Sequence, residues 1–248
     1  MDTTLLVLIA LAGTLTQAGV GFGFGLVFVP FAALVVPTRD AVAMSLLLGT
    51  IIAGGIYAEQ RTRTSPRAIA PLVVGALLGT PLGVLILVRA DETLLRLLVA
   101  TSVFVSAVVT LATGNGHPHE ARPEPVIRQG VVGVMGGVIR GAVSMGGPPI
   151  VLYQHWIGGG ADRIRGALTA YFFWVGIPAT AMTIPSGVFT GHVIRTTLIA
   201  LPVAAIGVAL GRFVRARLSE AWFGRVSMLV LAVTAAVAAW GAADVLRG

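Results

Sequence analysis

Cysteine and lysine are both missing from this chain. The first absence excludes disulfides, thiolate metal sites and thiol catalysis. The second means that all 17 basic residues are arginine, which makes loop-charge counting simple. Charge of either sign is scarce, at 11% of residues against 56% hydrophobic, and the mean hydropathy is +0.93. A water-soluble core cannot hide that much apolar surface in 248 residues, so the chain belongs in lipid. The sequence pI near 11.4 does not point to nucleic acid, because the arginines are scattered through short loops with no basic run. No nucleotide-binding loop is found, so ATP is not the expected energy source. Neither a cofactor nor a metal is expected: His117 and His119 flank a proline without a third ligand.

A bilayer core about 30 Å thick needs roughly 20 apolar residues per helix. Eight segments qualify, at 4–36, 41–58, 68–88, 93–113, 126–155, 166–184, 193–213 and 221–243. The first is not expected to be a cleaved signal. Leu5 to Leu11 is apolar and residues 10–12 (ALA) resemble a cleavage site, but the segment carries Asp2 in place of a basic start and runs on into further apolar sequence.

Two segments are broken at matching places by glycine and proline: residues 18–25 (AGVGFGFG) and 140–149 (RGAVSMGGPP). Paired interruptions of this kind point to a transport site built from broken helices. Arginine counting bears on how these segments cross. If all eight cross once, seven arginines face nine, which decides nothing. If 4–36 and 126–155 are re-entrant hairpins, Arg61, Arg63, Arg67, Arg122, Arg128, Arg163, Arg165, Arg212, Arg215, Arg217 and Arg225 share one side. Arg39, Arg89, Arg96, Arg195 and Arg247 then lie on the other, with Arg140 inside a segment. That bias favours six spanning helices plus two hairpins in an inner membrane, with both termini outside the cytoplasm; eight simple spans are the competing arrangement.

An odd number of crossings per half makes the halves inverted copies. At an offset of 122, Gly19, Gly25, Val29 and Asp40 meet Gly141, Gly147, Val151 and Asp162; at 128, Gly79, Gly83 and Glu92 meet Gly207, Gly211 and Glu220. The fold class expected is therefore an all-α polytopic membrane protein of two inverted repeats. The N-terminal repeat is 1–113, with hairpin 4–36 and helices 41–58, 68–88 and 93–113. A cytoplasmic linker follows at 114–125 in the polar stretch 113–125 (TGNGHPHEARPEP). The C-terminal repeat is 126–248, with hairpin 126–155 and helices 166–184, 193–213 and 221–243.

These features resemble the TauE/SafE family of membrane transporters, the sulfite exporters. The resemblance is carried by the glycine-rich first segment ending in residues 26–30 (LVFVP) and by its counterpart 141–153 (GAVSMGGPPIVLY). Residues 163–173 (RIRGALTAYFF) and 201–212 (LPVAAIGVALGR) extend it over nearly the whole chain. It implies transport of small sulfur-containing anions such as sulfite, sulfoacetate, related sulfonates or thiosulfate. The first half departs from the family pattern, with Phe22, Gly23 and Phe24 where a Gly-Gly pair is common.

The residues themselves support an anion site. The N-terminus of a broken helix presents unpaired N–H groups and about half a positive charge, and Gly21, Gly23, Gly25, Gly146 and Gly147 let backbone approach an anion closely. Pro148 and Pro149 suit the first turn of a restarting helix. Ser144 is expected to cap that helix and to offer its hydroxyl to the anion. Arg140, a guanidinium inside an apolar segment, is costly unless it meets an anion or water, with snorkelling from a hairpin end as the competing account. Gln17 precedes the first break as Arg140 precedes the second. Phe22 and Met145 lie within the breaks, and Tyr171 with Trp174, one helical turn apart, is placed to wall the site, with aromatic packing or an interfacial belt as the favoured account.

Gly75, Gly79 and Gly83, like Gly207 and Gly211, recur every four residues and are expected to be packing faces. For Ser45 and Thr50 interhelical hydrogen bonding is expected, and for His155 and His192 interfacial hydrogen bonds. The expected partners are a small anion and the lipid bilayer, and a homodimer is compatible with the sequence. Three other classes compete: a transporter of carboxylates or other anions, a cation channel suggested by residues 19–23 (GVGFG), and a serine hydrolase built on Ser144 with His155 or His192. The channel lacks a second copy of its filter and the leading threonine. The hydrolase lacks the first glycine of a nucleophile elbow.

Overall fold

The computed structural model describes residues 3–60, 66–113, 125–158, 161–217, 229–230, 232–241 and 243, and among these there is no strand. The helices are α1 (Thr3–Val20), α2 (Phe24–Ala32), α3 (Thr38–Gln60), α4 (Pro66–Arg89), α5 (Glu92–Thr113), α6 (Val126–Val143), α7 (Gly147–Ile157), α8 (Ala161–Thr183) and α9 (Gly191–Arg217). A last apolar helix, α10, covers Ala232–Gly241. Six helices, α3, α4, α5, α6, α8 and α9, are long and apolar enough to cross a membrane, which makes the chain an all-α polytopic membrane protein. The linker at 114–124, with His117 and His119, lies outside the described residues, as does much of the segment expected at 221–243.

Both glycine-rich segments are broken where the sequence places the breaks. Three non-helical residues, 21–23 and 144–146, separate α1 from α2 and α6 from α7. With 9 and 11 residues, α2 and α7 reach only about 14 and about 16 Å, half of what a bilayer requires. Their partners are longer. α6, at 18 residues, is itself of spanning length, so segment 126–155 is one long arm and one short arm.

The two broken segments correspond at an offset that differs by one residue from the expected 122. α1 and α6 end at 20 and 143, and α2 and α7 start at 24 and 147; each difference is 123. Backbone hydrogen bonding agrees, since Gly21 N–H donates to the Gln17 carbonyl and Ser144 N–H to that of Arg140, both at 2.8 Å. Identical glycines in a glycine-rich stretch match well even when slipped by one position, and only the helix ends reveal the slip.

The same packing occurs twice. A Cβ on Gly75, Gly79 or Gly83 of α4 would collide with the carbonyl of Gly130, Val134 or Val138, and one on Gly133, Gly137 or Gly141 of α6 with the carbonyl of Leu72, Ala76 or Thr80. On the other flank, Gly207 of α9 meets Leu11 and Thr14 of α1, and Gly211 meets Leu15 and Ala18. Val134 and Val138 stand 123 residues beyond Leu11 and Leu15, so α4 grips α6 as α9 grips α1. In lipid, helices gain little by burying apolar area against each other, so close backbone approach over small residues takes its place. Gly79→Leu is accordingly expected to cost about 3 kcal/mol through overpacking. Gly55→Leu, where an added Cβ meets nothing within 4 Å, should leave the detergent melting temperature unchanged; equal melting of the two variants would contradict this packing.

The helix ends are tied by polar groups. The Glu92 carboxylate accepts from Thr38 N–H and Thr38 Oγ1 and from Arg96 Nε at 2.9 Å. Arg39 donates to the carbonyls of Leu87 at 3.1 Å and Ala90 at 2.8 Å, satisfying acceptors left open at the end of α4. At the opposite end of α3, Arg212 pairs with Glu59.

Candidate functional site between the two helix breaks

The two breaks meet at a small internal cavity. It is lined by Gln17, Phe22, Gly23, Phe24, Gly25 and Leu26 from the first break, by Arg140, Ser144, Met145 and Gly147 from the second, and by Ser45, Gly49 and Phe172 from α3 and α8. Four pairs of these stand 123 residues apart: Gln17 with Arg140, Phe22 with Met145, Phe24 with Gly147, and Gly49 with Phe172. The cavity therefore lies where the two halves of the chain face each other. At about 20 Å³ it has room for one water molecule.

The backbone is shaped for close approach. Gly21 and Gly23 adopt φ of 89° and 110°, a region that other residues enter only under strain. A Cβ on Gly25 would lie 2.5 Å from the Ser144 carbonyl oxygen and 3.2 Å from Ser45 Oγ, so this glycine allows the two breaks to touch. Gly23 caps α2 without any side-chain hydrogen bond, and the first intrahelical bond there runs from Val27 N–H to the Gly23 carbonyl. The N–H groups of Phe24, Gly25 and Leu26 are therefore available to an anion. α7 offers less, because Pro148 and Pro149 have no N–H.

Ser144 does not cap α7. It is the C-terminal cap of α6 with φ 61°, and Gly146 stands at the N-cap of α7 without a side-chain bond. Among the described residues Ser144 is the one non-glycine with positive φ, a strained state that persists when its surroundings enforce it. Its hydroxyl shares a 2.9 Å hydrogen bond with Ser45. A serine partner in place of a histidine removes the basis for a serine hydrolase.

Arg140 is only 3% exposed. One guanidinium nitrogen donates to Thr50 Oγ1 at 3.3 Å, the group sits 5.1 Å from the centre of the Phe172 ring, and Nε has no partner. None of the ion pairs among the described residues involves it. Burial of this kind excludes the snorkelling account, in which the charge reaches water. Gly176 makes the arrangement possible, since a Cβ there would strike Thr50 Oγ1 and come within 2.9 Å of the guanidinium.

Other expected residues are placed differently. Tyr171 is fully buried but does not line the cavity; its hydroxyl lies against Gly136, and Phe172 takes the wall position. A helix turns about 100° per residue, and on α8 that turn carries Phe172 to the cavity and Tyr171 toward α6. Trp174 is 44% exposed and packs edge-on against Tyr57 and Phe173, the aromatic packing favoured for it from the sequence. Gly21, Gly146 and Pro148 shape the breaks without lining the cavity: Gly21 is pressed against Arg165, and Gly146 against Gly136 and Arg140. Thr50 bonds the Leu46 carbonyl at 2.6 Å and receives Arg140. Sequence reading left out Phe24, Leu26, Gly49 and Phe172. The offset of 123 pairs Phe24 with Gly147 and Gly49 with Phe172, but only the helix ends establish that offset.

Comparison with known proteins agrees with this architecture. The family model described as sulfite exporter TauE/SafE matches residues 5–238. A protein of Cupriavidus necator described as a probable sulfite/organosulfonate exporter TauE is 27% identical over 228 residues, covering 89% of this chain and 87% of its own. No solved structure matches this chain.

Proposed function

Since the chain belongs to the sulfite exporter TauE/SafE family, a family of membrane transporters and not of enzymes, we propose that it moves a small sulfur-containing anion, such as sulfite or an organosulfonate, by alternating access around the cavity between the two breaks. The observation that carries this reading is Arg140, a buried guanidinium with no carboxylate partner among the described residues, on the wall of a cavity that also presents free backbone N–H groups. A charge left uncompensated in a low-dielectric interior is costly. An anion entering the cavity removes that cost.

The short arms α2 and α7 act as re-entrant tips in this proposal, and the two halves act as inverted repeats that rock against each other. Arg39 and the Arg212–Glu59 pair sit at opposite ends of α3. That separation suits two re-entrant hairpins, whereas eight simple spans would put both arginines on one face. The larger arginine group, with the linker, then faces the cytoplasm of an inner membrane, and both termini lie outside. An inside-negative potential favours anion exit by about 2.3 kcal/mol per charge per 100 mV, so export needs no coupled ion.

Single-cysteine reporters test the site directly, because no native cysteine has to be removed. Met145→Cys is expected to react with membrane-impermeant thiol reagents from the two faces in turn, and sulfite should slow the reaction. Silence from both faces in a variant that still transports would refute alternating access at this cavity.

A further inference from the structure

Resting on that reading, we infer that the cavity is built for one negative charge, and that it takes monoanions, such as hydrogensulfite or a simple sulfonate, in preference to dianions. Gln17 and Arg140 occupy equivalent places in the two halves. Each lies one helical turn before its break, each accepts the backbone bond that closes its helix, from Gly21 and Ser144, and both are buried on the cavity wall. One of the pair is a cation and the other a neutral amide. Among the described residues no other ionisable side chain lines the cavity.

The helix dipoles do not supply a second charge. Each break joins the negative C-terminal end of one helix to the positive N-terminal end of the next, so the contributions oppose one another. Pro148 and Pro149 further reduce the donors at α7. A monoanion beside Arg140 leaves the buried site neutral, with Gln17 and the hydroxyls of Ser45 and Ser144 donating to the remaining oxygens. A dianion leaves one uncompensated charge in a low-dielectric interior, which is strongly unfavourable.

The test uses the full chain in proteoliposomes, with methanesulfonate as a monoanion, thiosulfate as a dianion, and sulfite, which gains a proton near neutrality. Sulfite flux should fall about tenfold between about pH 6 and about pH 8 as hydrogensulfite gives way to sulfite, while methanesulfonate flux stays within about twofold. Thiosulfate flux should be at least about tenfold below methanesulfonate flux. Gln17→Arg should reverse that preference. Should the variant not fold, the wild-type pH profile and the thiosulfate ratio decide alone. Thiosulfate carried as fast as methanesulfonate, or sulfite flux independent of pH, would overturn the charge rule while leaving the anion site standing. No flux of any of the three anions would overturn the site itself, and the charge rule with it.

Discussion

Replacing Arg140 with alanine is expected to lower anion flux by at least about a hundredfold, the loss that follows from removing a buried charge contact worth roughly 3 kcal/mol or more. The same change should leave the protein inserted and at least as stable as before. Deleting one member of a buried ion pair ordinarily destabilises, because the other charge is left alone. Among the described residues Arg140 has no such partner; its contacts are Thr50 and the Phe172 ring. Its removal abolishes a desolvation cost and leaves no orphaned charge behind. Function and stability thus pull in opposite directions at this residue, as they do where a site is held ready for a ligand. Arg140→Lys should retain only a small part of the flux, since an ammonium lacks the planar fork that meets two oxyanion atoms together. Flux in proteoliposomes and melting in detergent, measured on the same preparations, check both halves of the expectation. Wild-type flux in the alanine variant would remove Arg140 from the site.

The second large effect separates two glycines that look alike in the sequence. Gly25→Ala is expected to reduce flux about tenfold or more and to lower the melting temperature, because the new methyl group would be forced against backbone. The obstacle is the Ser144 carbonyl oxygen, 2.5 Å from the added carbon, with Ser45 Oγ at 3.2 Å. Neither break can shift without disturbing the other. Gly147→Ala should stay within about twofold of wild type, since its Cβ would make ordinary contacts with the Phe22 ring at 3.4 Å and the Phe172 ring at 3.5 Å. Flux assays on the two single variants discriminate. Equal loss from both would mean that glycine is required at each tip for a reason other than the close approach at Gly25.

The break positions could be read without a structure because they are local events. Proline removes a donor and glycine admits positive φ, and both act on the chain within a turn of where they stand. Arg140 was legible for a similar reason: a charge inside an apolar run stands out against its neighbours. Ser45 was noticed, but its direction was not readable, and Gly49 and Phe172 passed unnoticed. α3 and α8 are apolar around much of their circumference, so no alternation of polar and apolar residues marks the face turned toward the cavity. The cap assigned to Ser144 failed on geometry. A serine three residues ahead of a helix resembles an N-cap, yet the preceding helix α6 ends on it first.

The linear sequence by itself determined that this protein lives in lipid, that it is helical, and where two of its segments break, because solvent preference and backbone freedom belong to individual residues and their immediate neighbours. The tertiary structure alone decided which residues share the cavity, the offset of 123 that makes Gln17 the counterpart of Arg140, and which glycine holds the two breaks in contact. Those outcomes depend on helices meeting at backbone distance, and in a membrane such meetings are selected by shape, which leaves no hydrophobic pattern for a linear reading to follow.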